Sequence, residues 1–200
     1  MFIIVKIFSK GSAGLIIFIG SVQWLMMILI SESFHPGYNS SIHYVSTLGV
    51  GTTALPYNLS IIVFGLSLVV SSIILYKALG IKLFTSLLLI TGIFIIGVGV
   101  FPEDSRPMHG YVTAFAFIFA VSLPIVSFKM LNRPFSYISI VIGLITLLLL
   151  IYFFPYLGLP AESTTTILGL AKGTMERLVI YPLLIWMVSF SVSLLQPNKN

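Results

Sequence analysis

The sequence predicts an all-α fold, a polytopic membrane protein built as a bundle of six transmembrane helices, and three observations predict it. Hydrophobic residues make up 58% of the 200 positions and charged residues only 8%, a balance far outside that of soluble domains. Six stretches reach the roughly 17 to 25 apolar residues needed to cross a hydrocarbon core of about 30 Å. Nearly every charge lies between those stretches, as the cost of an ion in lipid requires. Residues 1–200 are therefore read as one domain with no separate soluble part.

The first span runs from about Ser12 to Ile30. It is longer than a signal-peptide core and lacks a small-residue cleavage pattern, so it is read as a retained helix. The loop from Ser31 to Pro56 follows, without lysine or arginine. Ser40 or Ser41 is placed there to cap a short helix with Ile42, Val45 and Leu48 on one side and His43 and Thr47 on another, which describes an interfacial or re-entrant segment. The second span, Tyr57 to Tyr76, carries Ser67 and Ser71, and the third, Leu83 to Phe101, carries Gly92, Gly97 and Gly99. The fourth, Gly110 to Phe128, should begin near Pro107, because proline at the first helical position loses no hydrogen bond and Ser105 upstream is a natural cap. Its small residues recur at four-residue spacing, Gly110 with Ala114 and Ala116 with Ala120. Helices in lipid associate through small residues, so spans two to four are predicted to form the tight interior. Spans one and five, the latter Phe135 to Phe154, are richer in large aliphatics and should face lipid more. A second long loop, Pro155 to about Thr174, leads into the sixth span, Met175 to Leu195.

Orientation follows from lysine and arginine, which cytoplasmic loops carry in excess. Lys6, Lys10, Lys77, Lys82, Lys129, Arg133 and Lys199 fall on one side. The other side keeps Arg106, Lys172 and Arg177 with Glu32, Glu103, Asp104, Glu162 and Glu176, and all three histidines. The chain is thus expected to be integral to the cytoplasmic membrane, multi-pass, with both termini cytoplasmic and the polar loops outward. The net charge of +5 reports this topology rather than a nucleic-acid surface, since no basic stripe is present. With no cysteine there is no disulfide framework, thiolate nucleophile or cysteine zinc site.

Three clusters carry chemistry. In Phe101-Pro102-Glu103-Asp104-Ser105-Arg106-Pro107-Met108-His109, His109 lies in the first turn of the fourth helix, where the dipole favours a neutral imidazole and ionised neighbours Glu103 and Asp104. A neutral imidazole beside carboxylates serves an acid/base pair or a metal site; the competing reading is that the acids only cap and solvate a tight turn. At the mouth of the sixth helix, Glu176 and Arg177 bind substrate or pair structurally. Lys172 has the spacing of an ion pair with Glu176, and Arg177 would clamp a carboxylate or phosphate or pair with Asp104 across the bundle. The third cluster is His35, His43, Ser46, Tyr57 and Asn58, with His43 and Asn58 at the rim of the expected site. The histidine spacing is not ligand-like, so no cofactor is favoured. A divalent metal, if held, would take Asp104 and His109, with His43 as a further ligand.

The order His43, Ser46, Leu48-Gly49, Tyr57-Asn58, Gly65, then Gly99-Val100-Phe101-Pro102-Glu103-Asp104 with His109-Gly110, then Gly173, Glu176-Arg177 and Trp186 resembles the family called domain of unknown function 998, across nearly the whole chain. Its most specific piece is the phenylalanine-proline-acid-acid turn followed by histidine. Thr47 stands where the resemblance implies a more polar, often acidic residue. The resemblance implies six membrane helices and no stated activity. A looser likeness of layout connects it to the Frag1, DRAM and Sfk1 group, which touches lipid and glycolipid-anchor biology.

The expected function is a membrane-embedded enzyme or binder whose outward polar pocket, between spans two, three, four and six, acts on a lipid headgroup or other membrane-delivered substrate. Glu103 or Asp104 would serve as base or metal ligand, His109 as acid/base or ligand, and Arg177 as anion clamp. The alternative is an accessory or assembly subunit that binds a partner membrane protein through the same face. A small-solute or proton transporter is disfavoured, because no helix carries an ionisable residue at depth.

Overall fold

The structure, a computed structural model, describes residues 9–157, 159–160 and 163–196; Lys6, Glu162 and Lys199, used above for charge placement, lie outside the described residues. Helices α1 (Lys10–Phe34), α2 (Ala54–Leu79), α3 (Lys82–Val100), α4 (Met108–Val126), α5 (Phe135–Phe153) and α6 (Lys172–Leu195) form the bundle. Each is long and apolar enough to cross a membrane, alone or with an adjoining turn. The chain is an all-α, multi-pass membrane bundle, as the apolar runs predict.

Local chemistry sets the ends. α1 starts at a reciprocal cap, with Ser9 Oγ accepting from Ser12 N–H and Ser12 Oγ accepting from Ser9 N–H, both at 3.1 Å. α2 stops at Gly80, whose φ of +68° is left-handed and whose N–H closes on the Tyr76 carbonyl at 2.9 Å. The expected Ser105 cap of α4 does not form. Pro107 occupies the cap position and Ser105 lies two residues upstream, where its backbone carbonyl, not its hydroxyl, takes the His109 N–H at 3.2 Å.

The helices form a ring in chain order, each packed on its neighbours, with α6 returning to α1; α4 and α5 share the thinnest seam. Backbones approach closely between α2 and α3. A Cβ on Gly65 would lie 2.8 Å from the Gly92 carbonyl, one on Gly92 2.8 Å from the Gly65 carbonyl, and one on Gly99 2.9 Å from the Asn58 carbonyl. The interior differs from the expected one. α2 and α6 are the two most buried helices, and α1 is wedged between them, with Ile17 and Ile28 fully enclosed and Gly14 set against the Ser191 carbonyl of α6. α5 does face outward, exposing Ile138, Val141, Leu144, Ile145, Leu148 and Ile151. The small residues of α4 line cavities.

Two loops fold over the same end. Residues 35–53 make no α-helix at Ser40; they form turns and two short 3-10 segments, Ser46–Gly49 and Gly51–Thr53. Tyr44, Val45, Ser46 and Leu48 are buried while Ile42 is exposed, so the segment plugs the bundle through a different set of side chains than a helical face would present. The other loop ends in a hairpin of two-residue strands, β1 (Thr166–Ile167) and β2 (Leu170–Ala171), with Thr166 opposite Ala171 and Ile167 opposite Leu170. Leu168 and Gly169 turn it with φ of 54° and 76°, the doubly left-handed geometry of a tight hairpin.

Candidate functional site

The Phe101–Pro107 turn sends its two acids in opposite directions. Glu103 is 7% exposed: Oε2 accepts from Thr47 Oγ1–H at 2.5 Å and Oε1 from Arg106 Nη2–H at 3.2 Å. Asp104 is exposed, and its side chain makes no hydrogen bond or ion pair among the described residues. Thr47, placed by the 3-10 segment, donates to Glu103 where an acid would repel it.

His109 is buried in the first turn of α4. Its Nδ1 lies 2.7 Å from the Phe101 carbonyl. A carbonyl can only accept, so Nδ1 carries the hydrogen and Nε2 presents a lone pair, with the Thr113 hydroxyl 3.3 Å away. One turn into α6, Glu176 is 3% exposed, and its Oε2 accepts the Val45 N–H at 2.5 Å. No cation lies within 4.0 Å of Glu176 among the described residues.

Glu103, Arg106, His109 and Glu176 converge on a cavity of about 500 Å³ with Tyr44 and Ser46. Its other wall is apolar, made by Tyr111 and Ala114 of α4 with Phe153, Phe154 and Leu157, along the α4–α5 seam. Gly110 also lines it, and a Cβ there would meet nothing within 4 Å. A smaller apolar cavity of about 80 Å³ lies deeper between the helices and shares Ser46, Thr113 and Glu176 with the first. Trp24, Tyr57, Ala116 and Ala120 line it, and the Trp24 Nε1–H makes no hydrogen bond of good geometry among the described residues.

The expected grouping of Glu103, Asp104, His109, Glu176 and Arg177 therefore divides. Arg177 is not at the cavity. Its Nη2 meets Glu32 Oε1 and the Tyr38 hydroxyl, both at 2.5 Å, while Nη1 donates to the carbonyls of Ser40, His43 and Gly173 at 2.6, 3.2 and 3.0 Å. The hydroxyl of Tyr38 in turn donates to the Tyr44 carbonyl at 2.8 Å; burial raises its pKa above the usual phenol value, against the pull of Arg177, and keeps that hydrogen in place. Gly173 permits the clamp, since a Cβ there would lie 2.6 Å from the Ser40 carbonyl. The guanidinium staples the first loop onto α6 through Nη1 and Nη2, while its buried Nε–H meets no acceptor among the described residues. It pairs with neither Glu103 nor Asp104. Lys172 does not pair with Glu176 either: fully buried, it donates to the carbonyls of Pro160 and Ser163 at 2.7 and 3.2 Å and sits 5.2 Å from the Tyr44 ring.

His43 stands apart from the cavity and completes its own turn, Nδ1 accepting the Asn39 N–H at 2.9 Å. Burial lowers its pKa, with Lys172 and His35 adding to the effect. Asn58 donates to the Gly49 carbonyl at 2.8 Å and so positions the loop rather than the cavity wall. His35 bonds Thr53 at 2.9 Å. Asp104, His109 and His43 are not brought together, and among the described residues no three acidic or histidine side chains are grouped as metal ligands. Arg106 was missed as a site residue, although it sits three positions from Glu103; nothing local marks Tyr44, which long-range packing brings in.

This fold and site define a class: a multi-pass membrane helix bundle with a largely apolar cavity at one end, into which acids, a histidine and an arginine converge. The chain matches the family model described as Protein of unknown function (DUF998) over residues 18–193, and it belongs to that family. No curated protein and no solved structure matches it.

Proposed function

We propose that the protein lies in the cytoplasmic membrane with both termini cytoplasmic, and that its outward cavity takes the headgroup of a lipid or other membrane-delivered substrate through the α4–α5 seam. Lys10, Lys77, Lys82, Lys129 and Arg133 at the end opposite the cavity support the orientation. The observation that carries the functional reading is the convergence of Glu103, His109 and Glu176 on one cavity of about 500 Å³ with an apolar flank. Headgroups lie at this depth, and an apolar flank lets the tails stay in the bilayer. Nε2 of His109, its tautomer held by the Phe101 carbonyl, accepts a proton from a hydroxyl or water that reaches it, and Glu103 and Glu176 orient donors around it. Arg106 takes over the anion-facing role expected of Arg177.

The test is lipid analysis of protein purified in native-membrane nanodiscs, wild type against His109→Ala and Glu103→Gln. The expected outcome is one headgroup class retained by the wild type and depleted in both variants, with matching density in the cavity. Equal lipid retention in all three overturns the reading. It then favours an accessory subunit whose loops 35–53 and 155–171 dock a partner membrane protein.

A further inference from the structure

Among the described residues, the acidic and basic groups that line the cavity do not balance in number. Two carboxylates, Glu103 and Glu176, face it against one guanidinium, Arg106, which already spans to Glu103 and to the Leu159 carbonyl at 2.8 Å. The other cations of the α6 mouth point elsewhere, Arg177 to Glu32 and Lys172 to the Pro160 and Ser163 carbonyls. Glu176 is 3% exposed, has one backbone donor on Oε2, and lines the cavity with no cation within 4.0 Å among the described residues. A carboxylate so enclosed needs a donor from whatever fills the space beside it. His109 adds a second acceptor on the same wall, Nε2, which has the Thr113 hydroxyl 3.3 Å away. The interior of the cavity therefore offers acceptors, and the one cation that lines it among the described residues sits at the rim, where the Arg106 side chain is 36% exposed.

We infer that the headgroup bound here ends in an ammonium, which seats against Glu176 and His109 while a phosphate on the same headgroup, where present, meets Arg106 at the rim. The inference rests on the reading that a headgroup occupies the cavity, and it names the chemistry of that headgroup. An anionic terminus has no place at this depth. A neutral polyol would satisfy the acceptors but bring no positive charge to Glu176.

The test uses the purified chain in nanodiscs of phosphatidylglycerol and two probes with the same labelled acyl chain: lysophosphatidylethanolamine and its N-acetyl derivative, which differ only in the ammonium. Hydrogen bonds to a charged group are strong enough that the wild type should prefer the free amine by about tenfold or more. Glu176→Gln, which keeps an acceptor for the Val45 N–H, should bind both probes alike. Gly110→Val, which fills open space in the cavity wall, should bind neither. Equal wild-type affinity for the two probes, still blocked by Gly110→Val, overturns the ammonium inference and leaves the headgroup reading standing. Binding of neither probe, or binding indifferent to Gly110→Val, overturns both. Should Glu176→Gln fail to fold, the wild-type comparison of the two probes decides alone.

Discussion

Arg177 and Glu176 are adjacent in sequence and opposite in role. Arg177 holds the first loop to α6, its guanidinium 10% exposed and Glu32 22% exposed. Removing one partner of a buried pair costs ~3–5 kcal/mol, and the partial exposure of Glu32 puts Arg177→Ala near the low end, about 3 kcal/mol. Thermal unfolding in detergent should show that loss, and Arg177→Lys should recover only part of it, because an ammonium cannot span two oxygens and three carbonyls in one plane. Loss of lipid binding at unchanged melting temperature would instead return Arg177 to the site. His43 gives a pH-dependent counterpart. Its folded pKa lies below the ordinary value of 6.5, so the unfolded chain binds more protons just under that pH and the turn loses stability as pH falls through it. Protonation also removes the Nδ1 lone pair that holds the Asn39 N–H. The protection factor of the Asn39 amide, measured against the intrinsic exchange rate at each pH, should fall between pH 7.5 and pH 5 in the wild type and be low at both in His43→Ala; a flat wild-type protection profile would show that His43 does not hold the turn.

At the scale of elements, identical sequence signals divide between packing and cavity. Gly65 and Gly92 meet backbone, so Gly65→Val or Gly92→Val must push α2 from α3, at a cost of ~1–3 kcal/mol in unfolding stability. Gly110 meets open space, so Gly110→Val should leave unfolding stability close to wild type while removing ligand binding. Comparable destabilisation by all three would mean that the α4 seam is closed. Both kinds of glycine lie in apolar runs, and no local pattern separates them. The helices themselves were legible because each is an uninterrupted apolar run bounded by charge or turn residues. The hairpin at Thr166–Ala171 and the 3-10 turns of the first loop were not, since two- to four-residue elements leave no periodicity to read.

For the whole molecule, the decisive prediction is topological. Single cysteines at Ser40, Ser105 and Thr165 should react with an impermeant thiol reagent added outside the cell, and cysteines at Ser9 and Asn132 should not. The cysteine-free sequence supplies a clean background. Labelling at Asn132 but not at Ser105 would invert the protein and place the cavity on the cytoplasmic side.

The sequence by itself determined six spans, the segregation of acids and histidines to one end, and the turn that carries Glu103 and His109, because hydropathy and charge act locally and are written residue by residue. Tertiary structure alone decided which of those polar groups meet. Glu103 turns in and Asp104 out from adjacent positions, Glu176 faces the cavity while Arg177 faces Glu32, and Lys172 is enclosed by a loop instead of pairing along its helix. Each outcome depends on which carbonyls and carboxylates the folded loops bring near, and a buried charge goes to the partner that packing supplies, whatever its distance along the chain.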